Sequence, residues 1–174
     1  MDGQGVYERY SRAGGLSETG VQTIFSTPNG SLVIAYNNSS IDVMDQDGIH
    51  TINALKLKPV NGDKSIYQIT GNDEACLLST GFGIVVLNLV KYELGNSWVI
   101  GDNGVFVRVN AAIEFEGNYY AATDSGLKMA ALSSGNLADY RNWQMVSGTS
   151  GLPAGGVNQV FICGSSLYVQ AQNI

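Results

Sequence analysis

Histidine occurs once, cysteine and tryptophan twice each and proline three times in this 174-residue chain, and charged side chains make up only 14% of it. Each shortage removes a class of activity. With His50 as the one imidazole, a histidine metal cluster or a Ser-His-Asp relay would rest on a single residue. His50 neighbours Thr51 on an expected edge strand and reads as a surface group. Cys76 and Cys163 form no CxxC pair and have no second ligand set. Both fall on expected inner strands and read as free buried thiols. Nine basic against fifteen acidic side chains leave a net charge of -6, which disfavours a grip on a phosphate backbone, so nucleic acid is not an expected partner. No apolar run approaches the ~18 to 20 residues that a bilayer crossing requires, and Met1 to Tyr10 lack the charged-then-apolar order of a signal peptide. No membrane span is expected.

What the chain has in quantity is glycine, 22 residues, and a hydrophobic fraction of 44%. That mix suits many short strands joined by tight turns. It also repeats itself. Tyr7, Ser11, Gly15, Leu16, Val21, Ile24 and Phe25 return 136 positions later as Trp143, Ser147, Gly151, Leu152, Val157, Val160 and Phe161. Three periods of about 45 residues fill that interval, and a period of about 40 to 50 is that of a propeller blade, a four-stranded antiparallel meander.

Read strand by strand, the first copy has its inner strand at 21–25, a second at 31–36, a third at 41–45 and a looser outer one at 50–57. Turns fall at Pro28-Asn29-Gly30, Asn37-Asn38 and Asp47-Gly48. The second copy runs 66–70, 76–80, 84–89 and about 98–100, with a tight turn at Gly81-Phe82-Gly83. Its unbroken apolar run 83–87 suggests a strand covered on both faces. The third copy runs 109–115, 119–123, 127–132 and 142–146, and a fourth opens at 157 and reaches a second strand at 167–171. Residues 6–10, matched to 142–146, read as the outer strand of a preceding blade. Ala35, Ser79 and Ala122 take matching second-strand positions, where small side chains suit strands crowding toward an axis. The fold class is therefore all-β: a partial propeller of about three and a half blades (21–57, 66–100, 109–146 and 157–174) within one segment spanning 1–174. Two closures are open: a four-bladed ring whose last blade lacks a strand, or an arc of a larger propeller. The arc is the favoured expectation, and its unpaired blade edges are expected to let it self-associate.

Local motifs point to structure before chemistry. Gly15-Leu16-Ser17-Glu18-Thr19-Gly20-Val21 and Gly151-Leu152-Pro153-Ala154-Gly155-Gly156-Val157 are interblade connections in which Leu packs and Gly permits unusual torsions. Asp45-Gln46-Asp47-Gly48 opens like a calcium loop but lacks the later Glu, and is read as a hairpin turn. Glu114 and Glu116 share a strand face, and Asp73 and Glu74 sit in a hairpin. Nothing in the sequence brings any two acids together as a glycosidase pair, so they are read as solvated charges. Lys56, Lys58 and Lys64 read as a solvated basic cluster. Tyr36, Phe82, Tyr119 and Tyr120 lie at or beside blade turns and are assigned to the core ahead of a contact surface. No catalytic residue, metal ligand or cofactor is expected, and the sequence assigns no ligand-binding residue.

A family resemblance adds to this reading. The 151–160 turn and the hairpin Ala121-Ala122-Thr123-Asp124-Ser125-Gly126-Leu127 resemble repeats of the two-component regulator propellers of Bacteroidetes. Residues 32–42, 81–89, 100–104 and 136–143, in that order, resemble the amino-terminal propeller of PorZ-type proteins. The resemblance implies a non-catalytic scaffold in an extracytoplasmic setting, periplasm or outer cell surface, linked to the type IX secretion machinery and to delivery of anionic lipopolysaccharide to the sortase. Its expected partners are other protein subunits or a surface glycan. The alternative is a periplasmic sensor propeller that binds a glycan fragment. A second propeller and a carboxy-terminal sandwich domain, both features of that family, are not found in these 174 residues.

Overall fold

A computed structural model describes residues 8–148 and 151–172. Period-2 apolar patterning and glycine-rich turns produce three four-stranded antiparallel sheets and one two-stranded sheet, each in simple meander order. The first blade is β1 (Val21–Ser26), β2 (Leu32–Tyr36), β3 (Ile41–Asp45) and β4 (Gly48–Ile52). The second is β5 (Ile66–Gly71), β6 (Ala75–Thr80), β7 (Gly83–Asn88) and β8 (Glu93–Trp98). The third is β9 (Val109–Phe115), β10 (Asn118–Thr123), β11 (Gly126–Ala131) and β12 (Gln144–Met145), and β13 (Val157–Cys163) pairs with β14 (Ser166–Ala171). Three and a half blades of an all-β propeller arc result.

Burial explains why strands such as β7 lack an alternating polar face. Each inner blade is pressed on both sides, so successive residues enter different cores. On β6, Cys76 and Leu78 join Val33, Ile41 and Leu55 of the first blade, while Leu77 joins Val109, Ala121 and Trp143 of the third. Ala111, Ala122 and Leu127 then meet Val157 and Val160 of the fourth. The third blade brings Ala112, Ala121 and Ala130 to its interface with the second, and Trp98 and Trp143, 6.1 Å apart between ring centroids, supply the bulk there.

The outer strands differ from the sequence reading. The first ends at Ile52 and passes into one helical turn, Ala54–Leu57 (α1), which buries Leu55 completely against the first interblade core. A single inward leucine is satisfied as well by one helical turn as by a strand, so apolar spacing over this short run cannot separate them. In the second blade the outer strand lies at Glu93–Trp98 rather than at 98–100. Its Glu, Gly, Asn and Ser conceal it from a propensity argument. In the third, only Gln144–Met145 pair, after a 3-10 turn at Tyr140–Asn142 whose Arg141 chelates Asp139. Of the expected leading strand 6–10, Val6 and Tyr7 lie outside the described residues, and residues 8–10 take no strand.

Candidate functional site

All four inner strands carry the same irregularity. Register slips by one residue between Val21 and Thr23, Ile66 and Gln68, Val109 and Ala111, and Val157 and Gln159. A β-bulge leaves one residue unpaired and re-aims its side chain. Those residues are Gln22, Tyr67, Asn110 and Asn158, each second in its inner strand, and the last three converge on the propeller axis.

There they form a polar mouth of about 330 Å³ lined by Tyr67, Gln68, Arg108, Asn110, Asn158 and Gln159. The Arg108 guanidinium carbon stands 3.9 Å from the Tyr67 ring centroid, a cation–π contact that holds it over the ring. The Tyr67 hydroxyl donates to Asp63, and this bond holds the Asp63 carboxyl below its usual range. Burial first, and Asp63 second, push the Tyr67 phenol up. Gln68 Oε1 accepts from Ala112 N–H at 3.0 Å, and Asn110 Nδ2 donates to Asp124 Oδ1 at 3.0 Å and to the Val157 carbonyl at 2.9 Å. Side chains from one blade thus bridge to the backbone of the next, and the mouth is braced by the same bonds that join the blades. Among the described residues no carboxylate lies within ion-pair distance of Arg108.

The opposite end of the inner strands is apolar. A groove of about 490 Å³ runs between Phe25, Leu77, Trp98, Ile113, Tyr119 and Ile162, with Glu114 at its edge. Burial, followed by Glu114, raises the Tyr119 phenol. Thr70 Oγ1 donates to the Ala112 carbonyl at 2.5 Å beside it and ties the second and third blades together.

Off the axis, His50 stacks on Tyr92 at 3.7 Å between centroids, with its Nε2 3.5 Å from Asp45 Oδ1. Tyr92 Oη donates to Asp45 Oδ2 at 2.6 Å, so the His50 expected on the surface is half-buried in an interblade clasp. Asp45, Asp47 and Asp73 line a 600 Å³ rim groove, where Asp47 N–H bonds Asp45 Oδ1 as a hairpin turn requires and Asp73 caps the Asn29 amide. Among the described residues no group of three or more His, Cys, Asp or Glu is placed to hold a metal ion. Glu114 lies on β9 and Glu116 in the turn after it, at φ 46°. Lys64 Nζ donates to the Lys56 and Lys58 carbonyls and Lys56 pairs with Glu18, so the basic cluster is spent on loop closure.

Cys76 is buried, which pushes its thiol up to about 12, but Cys163 at the end of β13 is exposed, against the expectation of two buried thiols. Among the described residues β13 packs against β9 and β10 of the third blade, and Val157 and Val160 are its two buried residues, so Cys163 is left outside. Tyr36 and Phe82 are buried, and Tyr119 and Tyr120 pack against the interblade cores. The Gly15–Val21 connection does one thing more than pack, because its Ser17 N–H donates to Asp42 at 2.8 Å. Asp42 is fully buried and also accepts from Tyr36 and Thr51, at 2.7 and 2.8 Å. The mouth residues were invisible to sequence reasoning, since a bulge has no composition of its own. The available signal was a polar residue second in each inner strand.

A sequence model described as the TSS9, PorZ, N-terminal beta-propeller domain matches residues 2–144. Among solved structures the chain is similar to PorZ, an essential bacterial surface component of the type IX secretion system of Porphyromonas gingivalis. That likeness has a TM-score of 0.79 and 24% identity, and it covers 92% of this chain and 21% of that one. The extracellular domain of a putative hybrid two-component system from B. thetaiotaomicron is similar at TM-score 0.69 and 14% identity, over 94% of this chain and 21% of that one. The chain spans about a fifth of the length of these solved chains. No curated protein matches it. Successive bulged inner strands packed face to face, under a family model that runs from residue 2 to residue 144, show that the chain belongs to the PorZ N-terminal β-propeller domain family.

Proposed function

We propose that this propeller is a non-catalytic, extracytoplasmic scaffold of a PorZ-like surface protein, linked to type IX secretion and to delivery of anionic lipopolysaccharide to the sortase. The observation that carries this reading is the family match over residues 2–144. The geometry supports it: side chains with chemical potential are engaged in holding blades together, as in the Asp45–His50–Tyr92 clasp, and the open concave surfaces are suited to binding. Val21 and Ile24 on β1, and Phe161, Ile162 and Tyr168 on the last blade, are apolar and exposed, and form the surface by which this segment meets further protein. The test is an in-frame deletion of the propeller from its parent gene. Cargo should then be exported without being retained on the cell surface. Unchanged retention, with the truncated parent still produced, would overturn the assignment.

A second reading, a sensor propeller that binds a glycan fragment, is favoured by the polar axial mouth. A parent carrying a histidine kinase would select it.

A further inference from the structure

We propose that the axial mouth binds a sugar acid, with the carboxylate on Arg108 and ring hydroxyls on the amides of Gln68, Asn110, Asn158 and Gln159. The inference rests on the reading of the domain as a binding scaffold and gives that scaffold a site and a ligand class.

The argument starts from what the mouth offers. Arg108 is held over the Tyr67 ring, so its guanidinium is positioned before any ligand arrives. A planar fork so positioned matches a carboxylate, which it engages through two parallel N–H···O bonds. Around it stand four carboxamides, each with donor and acceptor ends, and only part of that capacity is used. Gln68 uses its oxygen on Ala112, and Asn110 uses its nitrogen on Asp124 and Val157, which leaves the Gln68 amino group and the Asn110 oxygen for a ligand. Hydroxyl groups both donate and accept, so a polyhydroxylated ring satisfies mixed amides better than an apolar or purely acceptor ligand does. A volume of 330 Å³ lies at the small end of the ~300–1,000 Å³ range of ligand pockets and suits a single sugar unit.

Charge then selects carboxylate over phosphate. Arg108 is the one cation among the six lining residues, and the mouth is flanked by Asp63 on Tyr67 and Asp124 on Asn110. The Arg108 charge is already felt by Asp63, so a ligand bearing a single negative charge is the most that the mouth accommodates. A phosphate monoester, carrying about -1.5 to -2 at neutral pH, would retain excess negative charge beside two aspartates in a protein of net charge -6.

The experiment is titration of the chain, by calorimetry and by amide chemical shifts, with glucuronate, glucose, glucose 6-phosphate and acetate. Glucuronate should bind saturably, and glucose, glucose 6-phosphate and acetate each at least tenfold more weakly. Arg108→Gln should weaken glucuronate at least tenfold, and Asn158→Ala, which leaves the cation–π pair intact, about threefold, with melting temperatures unchanged in the latter. Absence of saturation with glucuronate, equal binding of glucose or of the phosphate, or indifference to both substitutions would overturn the site. A peptide ending in a free carboxylate that outcompetes glucuronate would also overturn it, in favour of a protein ligand. None of these results bears on cargo retention, so the site can fail while the scaffold reading stands.

Discussion

Replacing Ser79 with alanine should stabilise the protein. Ser79 lies on β6 and is 1% exposed, and among the described residues its hydroxyl finds no hydrogen-bond partner. The other full blades place Ala35 and Ala122 at the same register position, opposite Thr23 and Ala111 as Ser79 is opposite Gln68. An unsatisfied buried hydroxyl costs about 1–3 kcal/mol in lost hydration. Removing it leaves a void smaller than a methyl group, worth a few tenths of a kcal/mol at ~24 cal/mol per Å³. The balance favours alanine by about 1 kcal/mol, which for a domain of this size raises the melting temperature by about 2–4 °C. Urea and thermal unfolding of S79A against the parent chain measure it, and the reciprocal Ala122→Ser should lose a similar amount. If S79A is less stable by more than about 0.5 kcal/mol, the hydroxyl has a partner, such as a buried water, and the argument from the repeat is wrong.

Gly83→Ala should cost about 3 kcal/mol or more, because Gly83 sits at φ 142° and an added Cβ would stand 2.1 Å from the Trp98 carbonyl; Gly117→Ala, at φ 75° with open space around it, should cost only about 1 kcal/mol in the same denaturation assay. Lys128 is 1% exposed and its ammonium is paired at 2.6 Å with Asp102, whose side chain is largely in solvent. Asp102→Ala should therefore destabilise by about 2–3 kcal/mol, while Lys128→Met, an apolar replacement of similar length, should cost less than about 1 kcal/mol. Burial alone would raise the Asp42 carboxyl, but its bonds from Ser17, Tyr36 and Thr51 outweigh it and hold it below the usual carboxylate range. A depressed folded-state value contributes stability above the unfolded value of about 3.9 that is lost as pH falls through the folded one. Asp42→Asn should accordingly unfold more easily at pH 7, by about 2 kcal/mol, and lose less stability than the parent chain between pH 5 and pH 2.

The inner and second strands of the second and third blades were legible because they are pressed on both sides. Runs such as Ile84 to Leu87 and matched positions such as Ile66, Val109 and Val157 are the direct imprint of blade-on-blade burial. Outer strands were misplaced because their surroundings ask less of them. β8 is half-exposed and tolerates Gly95 and Asn96, and the stretch after β4 needs only one inward residue, Leu55. His50 was misjudged for a related reason, since its partner Tyr92 belongs to the next blade and an interblade stack leaves no trace at short sequence range. The axial mouth was hidden behind a register slip. Gln22, Tyr67, Asn110 and Asn158 look like ordinary alternating residues until the pairing shows that each is left out of its ladder.

That slip separates the two jobs of the inner strand. The first residue of each, Val21, Ile66, Val109 or Val157, is a β-branched hydrocarbon, and the three after Val21 are buried completely or nearly so, because a neighbouring blade dictates it. The second residue is Gln in the first blade, Tyr in the second and Asn in the third and fourth, because the bulge frees it from the ladder. Repetition of the first fixes the stacking of blades, and variation of the second decides what the axis presents to a ligand. A substitution at Val157 therefore acts on folding and one at the exposed Asn158 acts mainly on the mouth, although the two are adjacent. In an array of this kind, the binding surface is found where the copies stop agreeing at a position that the register says is unpaired.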